Sequence, residues 1–179
     1  MNFYTRRFNL YLLPLVVCLL AAGCALWPHS DNKKALGNLR VHVESDSSKA
    51  GSTKDITLPR AQPFVLNIMT DAILTEHDII GARIFDTAGG GFAVEIKLQE
   101  TAGWRLQQYT AASPGKHLAI FAQWGKTTAD ARWLAAPVIA HPIANGTLTF
   151  TPDASREEMD QWVKGLMAAA KKNNSSSKD

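Results

Sequence analysis

Phe92-Ala93-Val94-Glu95-Ile96-Lys97-Leu98, followed at once by Gln99-Glu100-Thr101-Ala102-Gly103-Trp104-Arg105-Leu106, contains the change of hydrophobic period on which the fold turns. Its first seven residues form a β-type run. From Glu100 the spacing becomes helical, with Ala102, Leu106 and Tyr109 on one face and Trp104 off it, so residues 100–112 read as a helix. Ser113-Pro114-Gly115 ends that helix, and residues 117–124 read as the next strand. On the upstream side, residues 80–85 form a second β-type run. Asp86-Thr87-Ala88-Gly89-Gly90-Gly91 joins it to the first, a turn-rich link of hairpin length.

Further out, Leu39-Arg40-Val41-His42-Val43-Glu44 alternates as a half-buried strand does, and residues 45–54 are a polar loop. Residues 56–58 and 64–68 suggest two more strands, and residues 73–78 a short helical turn capped by Thr75. Toward the C-terminus, residues 125–131 form a polar loop. Residues 132–143 are extended but interrupted by Pro137 and Pro142, which suits an edge strand or bulges. Asn145-Gly146 is a hairpin signal, with residues 147–150 as the returning strand. The last element is a helix: Met159, Trp162, Val163, Leu166, Met167 and Ala170 make one apolar stripe, and Ser155 with Glu158 forms a capping box. Strands and helices in this order predict an α+β domain, a mainly antiparallel sheet with two helices on one face, in a ferredoxin-like variant.

The N-terminus has a different character. Arg6 and Arg7 precede an apolar run of about 15 residues, shorter than the roughly 20 a spanning helix needs, and the run closes on Ala22-Gly23-Cys24. Leu20-Ala21-Ala22-Gly23-Cys24 resembles a lipobox, with Ala21 where leucine is usual. The expectation is a signal peptide over residues 1–23, cleavage between Gly23 and Cys24, and lipidation of the Cys24 thiol. Acyl chains add roughly 0.8 kcal/mol of membrane binding per buried methylene, and two or more hold a protein stably. Residues 24–38 read as the lipidated cysteine and a polar tether, residues 39–170 as one domain, and residues 171–179, which carry no apolar side chain, as a disordered tail. Anchored in this way, the domain would sit in the cell envelope facing the periplasm. By resemblance to enterobacterial sorting, Ala25 favours the outer over the inner membrane.

Composition narrows the functional classes. The only cysteines are Cys18 and Cys24, so the mature chain has neither a disulfide framework nor a cysteine metal site. Loss of Arg6 and Arg7 reduces the 19 basic residues to 17 against 16 acidic ones, which gives no electrostatic case for nucleic acid. His29, His42, His77, His117 and His141 show no ligand spacing. Glu157, Glu158 and Asp160 fit a helix's first turns, where acids offset the dipole. Gly89-Gly90-Gly91 lacks the ending of a phosphate loop, and no nucleophile elbow is present. No catalytic residue, metal or cofactor is expected. Of the tryptophans, Trp162 belongs to the core stripe, while Trp104 and Trp133 are candidates for contact with a partner.

Over residues 73–166 the chain resembles the head subdomain of the first periplasmic domain of SecD. The resemblance rests on Leu74-Thr75-Glu76-His77-Asp78-Ile79, Val94-Glu95-Ile96-Lys97-Leu98, Gly115-Lys116-His117-Leu118-Ala119-Ile120, Ala136-Pro137-Val138-Ile139, Pro142-Ile143 with Gly146, and Phe150-Thr151. These are fold-determining positions: Gly115 suits the left-handed stop of a helix, and Thr151 with Pro152 suits a helix start. The six spans and the Asp-Leu-x-Gly-Gly segment of full-length SecD have no counterpart in this sequence. The resemblance implies a head-like module that binds protein, with exported polypeptides as its partner; taken with the lipobox and the missing catalytic constellation, the expectation is a non-enzymatic envelope lipoprotein. The alternatives are a structural or assembly lipoprotein with one dedicated partner, and a small-molecule hydrolase with an unfamiliar site.

Overall fold

The computed structural model describes residues 37–46, 52–60 and 62–176. The expected signal peptide over residues 1–23, the expected cleavage and lipidation site at Gly23 and Cys24, and nearly all of the expected tether lie outside the described residues. In chain order the elements are β1 (Asn38–Val43), β2 (Thr53–Leu58), β3 (Phe64–Met69), β4 (Leu74–Thr75), β5 (Ile79–Asp86), β6 (Phe92–Leu98), α1 (Glu100–Ala112), β7 (Leu118–Gln123), β8 (Ala131–Ala135), β9 (Thr147–Phe150) and α2 (Arg156–Ser176). The class is α+β with antiparallel pairing and two helices, as expected from the order of periods. Among the described residues the strands divide into three sheets: β4-β1-β7-β8, the hairpin β2-β3, and β5-β6-β9.

Strand alternation gives the four-stranded sheet two buried faces. Leu39, Val41 and Val43 of β1 and Leu118, Ile120 and Ala122 of β7 point to a main core that also takes in Val94, Ile96, Leu148, Leu106, Met159, Trp162 and Leu166. Ala119, on the opposite face of β7, joins a second cluster with Ile56, Leu58, Leu66 and Ile68 of the β2-β3 hairpin, against which Phe64 and Trp133 pack.

The two helices are placed by different devices. For α2, Glu158 N–H donates to Ser155 Oγ at 3.2 Å and Ser155 N–H to Glu158 Oε2 at 2.8 Å, the reciprocal capping box. This pair, and not Thr151-Pro152, starts the helix. Trp162 is fully buried and donates through Nε1 to Asn38 O at 2.9 Å. Beside it the chain at Gly37 passes so close to α2 that a Cβ there would stand 2.1 Å from Leu166 N. Gly37 and Asn38 are therefore part of the domain and not of the tether. At its other end α2 continues to Ser176, past the boundary at residue 170. Residues 171–176 are accordingly helical and not a disordered tail. For α1, the buried positions are Ala102, Gly103, Leu106 and Thr110, with Tyr109 only partly covered. Gly115, at φ +79°, ends the α1 region as expected.

The turn at Asn145-Gly146 does not close a hairpin. Strand β9 pairs with β6, in the register Ile96↔Leu148, and β8 pairs with β7. Residues 137–139 still bridge to the start of β7, and the chain leaves that edge only beyond Ile139, through Pro142, to enter a different sheet as β9. That irregular link shapes the surface described next. Strand β8 is an edge strand with a register irregularity against β7, as the prolines suggest. Among the described residues no helix is long and apolar enough to cross a membrane.

Candidate functional site

Large apolar side chains left in solvent are the first place to look for a partner surface. Among the described residues these are Val65, Ile80, Trp104 and Val138. Trp104 is 62% exposed: it lies on α1 away from the buried face, where its position off the Ala102-Leu106 stripe puts it. Ile80 stands near the start of β5. The two line a hollow of about 430 Å³ whose floor includes Gly103 and Gly146. Val138, 57% exposed, lines a second hollow of about 540 Å³. Both hollows are bounded by Ala144 and Asn145, so the link between β8 and β9 is a ridge with an apolar hollow on each flank.

That ridge is held by specific bonds. Leu118 N–H donates to Pro137 O at 3.0 Å and Ile139 N–H to Lys116 O at 2.8 Å. Thr110 Oγ1, itself donating to Leu106 O in α1, accepts from Ile143 N–H at 2.9 Å. Leu98 N–H donates to Gly146 O at 2.9 Å. A Cβ on Gly103 would stand 3.2 Å from Gly146 Cα, so α1 and the turn touch through two glycines. The side chains around both hollows are mostly small or apolar, with His141 on one and Glu100 on the other as the ionisable groups.

Trp133, the other tryptophan expected at a partner surface, is elsewhere. Its ring packs on the second core cluster, 5.6 Å from His42 and 5.3 Å from Phe121 in edge geometry, with Lys54 Nζ 5.7 Å above it. It fastens the hairpin to the four-stranded sheet, and the structure does not bring it to the surface of Trp104. His42 shares this seam. It is 5% exposed, and Nδ1 lies 2.9 Å from Met69 O. Burial lowers its pKa from the ordinary histidine value, and Lys54 and Arg40 lower it further against the carbonyl's opposing effect. Sequence alternation places His42 on the face opposite Val41 and Val43 but carries no sign that a hairpin covers that face.

His117 pairs with Glu44 at 2.7 Å, closing β1 against the start of β7. On the outer face of the three-stranded sheet, Arg83 and Glu95 form a two-point ion pair at 2.7 and 3.0 Å. The pair raises the guanidinium pKa and lowers that of the carboxyl through hydrogen bonding. Glu158 accepts from Arg132 at 2.7 Å in addition to capping α2, and Glu157 and Asp160 are simply exposed in the same turns. Among the described residues no three His, Cys, Asp or Glu side chains gather as metal ligands.

The family model for the P1 head subdomain of SecDF matches residues 52–170. This is wider than the resemblance over residues 73–166, because it takes in the β2-β3 hairpin. Two solved structures share the fold. One, of SecDF as a membrane component that enhances protein export, aligns with a TM-score of 0.53 at 20% identity over 75% of this chain and 64% of that one. The other, SecDF in its super-membrane-facing form, aligns with a TM-score of 0.54 at 22% identity over 76% of this chain and 19% of that one. This chain thus spans less than two thirds of either. No curated protein sequence matches it.

Proposed function

The chain belongs to the SecDF P1 head subdomain family, and from that premise we propose that it is a non-catalytic envelope module that contacts exported, unfolded polypeptide. The observation that carries this reading is the ridge between β8 and β9, with Trp104 and Ile80 exposed on one flank and Val138 on the other. An unfolded chain offers scattered apolar side chains and no fixed shape. A surface of shallow apolar hollows suits it better than a deep, polar pocket does. Membership supports the reading because the similar SecDF structure is of a component that enhances protein export.

In the same reading, residues 1–23 are removed, Cys24 carries the acyl chains, and the head is held at a membrane facing the periplasm, with the outer membrane favoured by Ala25. In this reading the lipid provides the attachment of the head to the membrane. Changing Cys24→Ser releases the protein from the membrane fraction. A variant that still sediments with membranes would remove the anchor from the proposal.

The contact itself is tested by placing a photoreactive phenylalanine analogue at position 104, 138 or 65 in cells. Positions 104 and 138 give a ladder of adducts that disappears when synthesis of secreted proteins is stopped. Position 65, exposed on β3 and outside both hollows, gives none. One discrete adduct at positions 104 and 138 would replace this reading with the single-partner alternative.

A further inference from the structure

The larger hollow lies where two sheet edges face solvent, and the hydrogen-bond phase of each edge can be worked out. The β6-β9 register runs from Val94↔Phe150 to Lys97↔Thr147, and just beyond it Leu98 N–H donates to Gly146 O, which extends the same register by one step. Antiparallel ladders alternate between bonded and non-bonded pairs. Gly146, Leu148 and Phe150 therefore turn their backbone groups toward β6, while Thr147 and Thr149 turn theirs away. The Asn145 side chain confirms this phase, accepting from Thr147 N–H at 3.1 Å on the outer side. Strand β9 is terminal in its sheet, so the N–H and C=O of Thr149 and the C=O of Thr147 point off the edge.

The other edge has the same phase. His117 and Val138 form an isolated antiparallel bridge, and the bonds beside it run between Leu118 and Pro137 and between Ile139 and Lys116. His117 and Val138 are thus a non-bonded pair, and the N–H and C=O of Val138 point away from β7. His117 is consistent with this, since its N–H and C=O bond to Glu44 on the β1 side. One hollow is lined by Pro137, Val138 and Ile139 together with Thr147, Leu148 and Thr149.

We infer that this hollow is a slot for one extended polypeptide strand, which pairs by its backbone with the Thr149 edge of the three-stranded sheet and lies against the Val138 edge of the four-stranded sheet. The inference rests on the polypeptide-contacting reading above and specifies its mode. Outward N–H and C=O groups at strand spacing complement another backbone in extended form. The occupant is therefore defined by its conformation more than by its side chains. An export module must accept many sequences, and backbone pairing is a form of recognition that ignores sequence.

The test uses the mature chain with a fluorescent eight-residue peptide of alternating valine and threonine, and the same peptide N-methylated at every second residue. Thr149→Pro removes an N–H that points off the sheet, so no β6-β9 bond is lost and proline is acceptable at this edge. Thr149→Val keeps the N–H and serves as control. The expected result is binding by the parent and Thr149→Val, at least tenfold weaker binding by Thr149→Pro, and a similar loss for the methylated peptide with unaltered protein. The methylated arm stands even if Thr149→Pro folds poorly. Equal binding of both peptides by the parent would overturn the slot while leaving the crosslinks at position 104 as support for the broader reading. Absence of both peptide binding and crosslinks would remove both.

Discussion

The four-stranded sheet is buried on both faces, but by different means. On one face Leu39, Val41, Val43, Leu118 and Ile120 join a cluster of apolar side chains with Trp162, Leu166 and Met159. On the other, Ala119 and a handful of hairpin residues share the space with the buried His42 and the half-buried Trp133. The first face is closed by long elements with regular periods; the second by a two-stranded hairpin, which is marginal by itself and depends on what it covers. The difference implies unequal stability within one domain: a main core that sets the global unfolding free energy, and a flap that opens before it.

The widest separation comes from truncating each side. Trp162→Ala removes a fully buried indole, its edge contact with Phe150 and its bond to Asn38 O, and should cost about 3–5 kcal/mol by urea unfolding. A cost under about 1 kcal/mol would mean that α2 does not close the main core. Leu58→Ala, in the second cluster, should cost about 2 kcal/mol, the low end for a buried leucine. Its gain in amide exchange should be confined to β2 and β3. Uniform acceleration through β6 and α2 would show the two faces to be one cooperative unit.

What could be read in the sequence follows the same division. The stripe from Met159 to Ala170 and the strand-to-helix switch at Gln99 specify the main core, because a long period constrains every residue in it. The hairpin's partner cannot be read that way. His42 alternates with Val41 and Val43 and looks like an outward polar residue, and only the return of β3 to bring Met69 O against its ring makes it buried. For the surface, Trp104 is visible in sequence because it breaks the stripe of α1. Val138 and Ile80 are not: Val138 lies in the irregular link between β8 and β9, and Ile80 falls at a register irregularity of β5. Local pattern cannot show which sheet a strand joins.

A subtler effect distinguishes the faces by pH. His42 in the folded chain has a pKa below its unfolded value of about 6.5, chiefly through burial and secondarily through Lys54 and Arg40. Its contribution to stability is fully present above the unfolded value. As pH falls below about 6.5 the unfolded chain takes up the proton first, so stability declines until pH passes the folded pKa. Unfolding midpoints between pH 7.5 and 5 should fall for the parent, and His42→Gln should flatten that decline. The exchange of β2-β3 amides should accelerate over the same range before that of β6. An unchanged pH slope in His42→Gln would assign the decline to other groups.

The smallest change in stability is expected at the surface and is the most informative about function. Trp104 is mostly exposed on a helix whose buried face is Ala102, Leu106 and Thr110, so Trp104→Ala should move stability by no more than about 0.5 kcal/mol. Burial alone therefore gives no reason for an indole here. If the ridge receives polypeptide, Trp104→Ala should lower crosslinking from position 138 several-fold while the urea midpoint stays in place, because the two hollows meet at Ala144 and Asn145 and a bound chain would extend across both. Undiminished capture from position 138 would confine the working surface to the Val138 side and leave the exposed tryptophan without a role in binding.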